Sequence, residues 1–168
     1  MKQPKNLADL LVLKLQALLD VEKQLAKALP KLARAATDPD LQGLFTAHAT
    51  ETVGHIERLE SIFRLLGEEP KIMKSAGIRG ITEDGLWAAK RVKDVCVRDA
   101  ILAAAASFAE HYEIAGYLAA IRWSKRLGHR AAVTTLSTTL QEEASMDERL
   151  DTFAQGKLDY RAEHPNES

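Results

Sequence analysis

Residues 103–120 read AAAASFAEHYEIAGYLAA. Alanine and leucine favour helix, and so apolar a run predicts a helix that buries much of its surface. Glu110 and Glu113 stand three residues apart in its middle, on one face. An ionised carboxylate buried without a partner costs several kcal/mol or more, so it takes up a proton or finds a cation. Either these two acids lie on a polar stripe, or they point inward towards something positive.

The rest of the chain shows helical spacing throughout and no sustained strand alternation. A first helix is predicted from Asn6, a good cap, to about Ala36, where TDPD stops it. A second runs from about Asp40 to Leu66, ended by Gly67 with Pro70 behind. A third covers roughly Asp99 to Arg126 and a fourth His129 to Gln155, with Gly128 between them and Gly156 after. Each spans roughly 40 Å at about 1.5 Å per residue. Tight turns make two antiparallel hairpins. About 30 residues join them, with a flexible SAGIRG (75–80) and a short helix after Thr82 around LWAAKRVKDV. Two hairpins with one long crossover predict an all-α, ferritin-like four-helix bundle rather than an up-down bundle. One such domain fills the chain, the bundle over about 6–155 and a solvated tail over 156–168.

Three-and-four spacing gives the inward line of each helix. The first reads Leu11, Leu15, Leu18, Glu22, Leu25, Leu29, Leu32, and the second Leu41, Leu44, His48, Glu51, His55, Leu59, Ile62, Leu66. The third reads Ala103, Ala106, Glu110, Glu113, Tyr117, Ala120, and the fourth Val133, Leu136, Leu140, Glu143, Asp147, Leu150, Ala154. Polar residues break each line only near its middle, at one height. Glu22, Glu51, Glu110, Glu113, Glu143 and Asp147 would therefore converge. Like charges about 4 Å apart repel by roughly 4 kcal/mol per pair even at an effective dielectric near 20. Two divalent ions would neutralise four of the six, with protonation, His48 or His55 offsetting the rest. Such paired ions suit chemistry with dioxygen or peroxide.

Any single glutamate on an amphipathic helix most often faces solvent, and Glu57, Glu60, Glu142 and Glu148 are read as surface. His48 alone reads as a hydrogen-bonded core histidine, with His55 evenly balanced between core and ligand. His111 projects about 100° from Glu110, and Tyr112 and Tyr117 read as core packing. Trp87 is expected to anchor the crossover helix or a subunit contact.

Hydrophobic residues at 46%, charged residues at 28% and a net charge of −1 are ordinary for a soluble domain. No basic block recommends nucleic acid as a partner. One cysteine, Cys96, rules out an intramolecular disulfide and any multi-thiolate metal site, and fits a cytoplasmic location. The N-terminal stretch, interrupted by Asp9 and Lys14, is neither a signal peptide nor a membrane span.

Four segments carry a family resemblance: DVEKQLAKALPKLARAA (20–36), HATETVGHIERLESIF (48–63), DAILAAAASFAEHYEIAGY (99–117) and LQEEASMDERL (140–150). Over about residues 7–155 the chain resembles the YciE/YciF family of ferritin-like bacterial stress-response proteins. The resemblance implies a four-helix bundle with an added short helix, a homodimer, and a dinuclear site. It assigns Glu22, Glu51, Glu110, Glu113, Glu143 and Asp147 as ligands. The chain departs from the wider ferritin-like pattern, which places Glu-x-x-His at midhelix; it offers His48-x-x-Glu51 and Glu51-x-x-x-His55 instead. An oxygen-rich set suits iron, manganese, magnesium or calcium better than copper. Three readings follow: an iron or manganese oxidoreductase acting on iron(II) or peroxide, a non-enzymatic stress-induced structural or binding bundle with a structural or vestigial metal site, and, less favoured, iron storage in a shell.

Overall fold

The computed structural model describes residues 3–164, and among them every regular element is helical. Asn6 caps α1 (Leu7–Ala35), its Oδ1 accepting from Asp9 N at 2.9 Å. Asp38 does the same for α2 (Pro39–Leu66), which ends on Gly67 at φ 68°, a left-handed conformation that glycine adopts without strain. Helix α4 (Val95–Arg126) is capped by Asp94 through Cys96 N and Val97 N, and α5 runs Arg130–Phe153. Helices α1 and α2 pack as one antiparallel hairpin, α4 and α5 as the other, and α1 against α4 and α2 against α5 close a four-helix bundle.

The crossover differs from the sequence expectation. Ser75 and SAGIRG are not a flexible link: α3 (Ala76–Arg91) starts there, and Val92–Asp94 break the chain before α4. The start of α3 is pinned to α1. Asp20 accepts from Ser75 N at 2.7 Å and from Gln24 Nε2 at 2.6 Å, and Ser75 Oγ meets Tyr112 Oη at 2.9 Å. Gly77 and Gly85 allow the close approach: a Cβ on Gly77 would lie 2.7 Å from the Tyr112 ring, and one on Gly85 3.2 Å from Ala105 Cβ. Ile78, Gly85 and Ala88 are the buried face, so Trp87, 58% exposed, does not anchor this helix in the core.

The expected tail is also structured where it is described. A π-helical turn, Ala154–Leu158, carries the chain past Gly156 into α6 (Asp159–Glu163). Leu158 is buried, and Lys157 and Arg161 each lie 2.8 Å from Asp38 at the start of α2. The rest of that tail, 165–168, lies outside the described residues.

Two apolar clusters fill the bundle, one at each end. Leu25, Leu29, Leu41, Phe45, Leu102, Met146 and Leu150 belong to the first, with Ile78 of α3. Leu11, Leu15, Leu18, Leu59, Ile62, Phe63, Tyr117 and Leu136 belong to the second. Between the clusters the long helices bury polar side chains, among them Glu22, His48, Thr52, His55, Glu110, Glu113 and Glu143.

Candidate metal centre

The layer between the clusters is built by Glu22 of α1, His48 and His55 of α2, Glu110 and Glu113 of α4, and Glu143 of α5, none more than 2% exposed. Their donor atoms fall into two groups, in each of which one atom per residue lies within 4.8 Å of the others. His48, Glu110, Glu113 and Glu143 form one; Glu22, His55 and Glu143 form the other. Glu143 belongs to both.

Helical periodicity decides which residues enter. On α1 and α4 the expected lines are buried throughout. On α2 the line passes through Leu41, Phe45, His48, Thr52, His55, Leu59 and Ile62, so a four-residue step from His48 buries Thr52 and leaves Glu51 at the rim, its side chain 38% exposed. On α5 it passes through Ala132, Leu136, Thr139, Glu143, Met146 and Leu150. Asp147 is the neighbour of that line: it accepts from Ser107 Oγ at 2.5 Å and lies 3.4 Å from His111 Nδ1. The structure thus brings four of the six expected acids together, with both histidines, and leaves Glu51 and Asp147 outside the two groups. Tyr112, 40% exposed, is not core packing, whereas Tyr117 is fully buried and donates its hydroxyl to Glu22 Oε1.

The outer nitrogen of each histidine faces a carboxylate. His55 Nε2 meets Glu142 Oε2 at 2.9 Å, and Arg58 holds that carboxylate through two contacts of 2.5 and 2.9 Å. Glu142 is therefore a supporting group rather than plain surface. His48 Nδ1 lies 3.7 Å from Glu51 Oε2. The Glu142 contact fixes the outer nitrogen of His55 and so aims its inner one, as carboxylates do for metal-bound histidines, whereas His48 Nδ1 has no hydrogen-bond partner.

Inside, the atoms converge without pairing. His48 Nε2 approaches Glu110 Oε1 at 2.9 Å and His55 Nδ1 approaches Glu143 Oε1 at 2.9 Å, yet neither contact has the direction of a hydrogen bond. Both oxygens of Glu113 and of Glu143, with one each of Glu22 and Glu110, are buried without a hydrogen-bond partner. Buried polar groups are nearly always satisfied, so this concentration at one point marks a built site. Burial raises the carboxyls of Glu22 and Glu113, and Glu143 adds repulsion. Burial, only partly offset by His48, pushes Glu110 up to about 7. For His55 burial opposes protonation, but Glu143 and Glu22 override it and lift the imidazole to about 10; Glu110 and Glu51 raise His48 in the same way. The layer therefore takes up protons when no other cation is present.

A family described as a domain of unknown function, DUF892, matches residues 6–163. The chain belongs to this family. It is 36% identical to Protein YciF of Escherichia coli K12 over 161 residues, covering 95% of this chain and 97% of that one. The crystal structure of the E. coli stress protein YciF superposes with a TM-score of 0.89, covering 93% of this chain and 99% of that one. YcfI of Rhodopseudomonas palustris, provisionally described as a structural protein, has 38% identity and a TM-score of 0.86 over 88% and 94% of the two chains. A Xanthomonas campestris protein at 19% identity shares the fold, with a TM-score of 0.74 over 95% of this chain and 98% of that one. Membership of the DUF892 family and these structures agree with the ferritin-like helical bundle read from the sequence. Among the described residues no helix is long and apolar enough to cross a membrane.

Proposed function

We propose that this is a cytoplasmic di-metal carboxylate protein of the bacterial stress response, with Glu22, His48, His55, Glu110, Glu113 and Glu143 as ligands to two divalent ions. The observation that carries the reading is the set of buried, unpaired oxygens and ring nitrogens in one layer. Charge supports it as well: four carboxylates, at −1 each, are offset by two ions of +2. The donor set narrows the metal. Carboxylates favour hard cations and two imidazoles weigh against magnesium and calcium; iron and manganese accept both donor types and, unlike zinc, change oxidation state. When bound, such a pair supplies the electron transfer needed for oxidising iron(II) or breaking down peroxide.

The chain's own groups prepare this layer. The Tyr117 hydroxyl orients Glu22, and Arg58 through Glu142 orients His55. The apolar clusters exclude water above and below, which strengthens every charge interaction between them. Glu143 belongs to both groups and would be a ligand in each. A homodimer is part of the proposal only through the family resemblance.

Elemental analysis of protein purified without added metal, followed by anaerobic iron(II) addition and an oxygen-uptake trace, tests the function. About two ions per chain with rapid uptake is the expected outcome, and absence of binding would overturn it. A second reading has its own observation: His48 and His55 lie 2.9 Å from Glu110 and Glu143, so protonated imidazoles would offset two of the four carboxylates without metal. In that case the protein is a stress-induced structural or binding bundle. It predicts no oxygen uptake and no stabilisation by manganese or iron.

A further inference from the structure

We propose that the crevice between α2 and α5 is the route by which divalent cations reach the centre, with Glu51 as the carboxylate that receives them outside His48. The proposal rests on the metal reading above. Glu51, Thr138, Gln141, Glu142 and Ser145 line this crevice with oxygen donors suited to a hard cation, and Arg149 stands among them as a positive charge. Glu51 is open to solvent, yet its Oε2 lies 3.7 Å from Nδ1 of His48, a side chain 2% exposed whose Nδ1 has no hydrogen-bond partner. The other ring nitrogen of His48 lies 2.9 Å from Glu110 Oε1. From the surface inward, Glu51 at the crevice, His48 behind it and Glu110 behind His48 thus lie in order, with the His48 ring as the last group between the crevice and the centre.

Within this crevice Glu142 is committed to Arg58 and His55, which leaves Glu51 as its available carboxylate. Among the described residues the two sides of α4 offer no equivalent. Between α4 and α5, Asp147 is committed to Ser107. Between α1 and α4 the crevice is lined largely by apolar groups, among them Ala17, Leu18 and Val21, with Lys14 to repel a cation. At the α2–α5 mouth Arg149 opposes the charge of Glu51, so the two residues set the local potential in opposite senses.

The test follows the rate of cobalt(II) uptake by the metal-free full chain in stopped-flow absorbance, with the number of ions bound at equilibrium as a second readout. Focused charge at a cleft mouth changes association rates by tenfold or more. E51Q is expected to load about tenfold more slowly, with a weaker dependence on salt but the same final stoichiometry. E51D should restore most of the rate and R149A should load faster than the parent. A rate for E51Q equal to that of the parent would sink the route alone. Loss of a bound ion in E51Q would overturn it too, by making Glu51 a ligand. A parent chain that binds no cobalt at all would remove the metal reading with it.

Discussion

Glu113 concentrates the energetic problem of this molecule. Both of its carboxylate oxygens are buried and unpaired, and burial followed by repulsion from Glu143 raises its pKa well above the ordinary carboxylate range. Replacing it by glutamine removes the titrating group while keeping the shape. In the metal-free protein at pH 8, E113Q is expected to be more stable than the parent by about 1–3 kcal/mol in urea unfolding. With saturating manganese the order should reverse, because a ligand is gone. Destabilisation of E113Q in both conditions would mean that Glu113 is held by something other than a metal. At this scale the sequence reading succeeds where one line is plainly better than its neighbours. On α1 six leucines flank Glu22 and fix the face. On α2 and α5 each line has two continuations, and the acid is not the one buried. Thr52 rather than Glu51, and Met146 rather than Asp147, continue them. The signal lies in the large residues: only the line through Thr52 includes Phe45, and only the line through Met146 keeps an apolar residue there.

Among the elements, the turn from α1 to α2 is tied to α4 by one buried carboxylate. Asp99 accepts from Thr37 N at 2.9 Å, Thr37 Oγ1 at 2.6 Å and Asp38 N at 2.8 Å. D99A strands these donors, and each unmet group costs about 1–3 kcal/mol. A loss of at least about 3 kcal/mol in denaturant unfolding is expected, with metal stoichiometry unchanged in whatever fraction stays folded. A loss below about 1 kcal/mol would show that water replaces the carboxylate without cost. The four long helices are legible because Asn6, Gly67 and Gly128 mark ends, although α4 starts at Val95 on its Asp94 cap, four residues before the expected Asp99. The start of α3 is not, since SAGIRG looks like a linker by local propensity. Tertiary contacts decide it: Asp20, Gln24 and Tyr112 hold Ser75, and the small residues let α3 lie close on its neighbours. The C-terminal turn past Gly156 is hidden for the same reason, held by Lys157 and Arg161 against Asp38.

For the whole molecule, the polar layer makes stability depend on pH with opposite signs in the two metal states. Glu110 moves from 4.5 to about 7 on folding, so its contribution is full below pH 4.5 and is lost as pH rises towards 7. His55 moves from 6.5 to about 10, so its contribution is full below pH 6.5 and is lost as pH rises through 10. On the acid side Asp38 works the other way. Its pKa is lowered, with the contacts from Lys157 and Asp40 N outweighing burial, and its contribution disappears as pH falls below about 3.8. Metal-free protein should therefore melt highest at mildly acid pH and lose thermal stability steadily from there to pH 9. Metal must displace the protons of the layer, so the rise in melting temperature caused by manganese should grow between pH 5 and 8. A manganese effect that shrinks over that range would contradict the proton-for-metal exchange.

The central claim is that two cations occupy the layer between the apolar clusters, and anomalous diffraction from crystals grown with manganese or iron tests it most directly. The account predicts two anomalous peaks per chain, one among His48, Glu110, Glu113 and Glu143 and the other among Glu22, His55 and Glu143. A map without peaks in that layer, with the carboxylates paired only to protonated histidines, would contradict it.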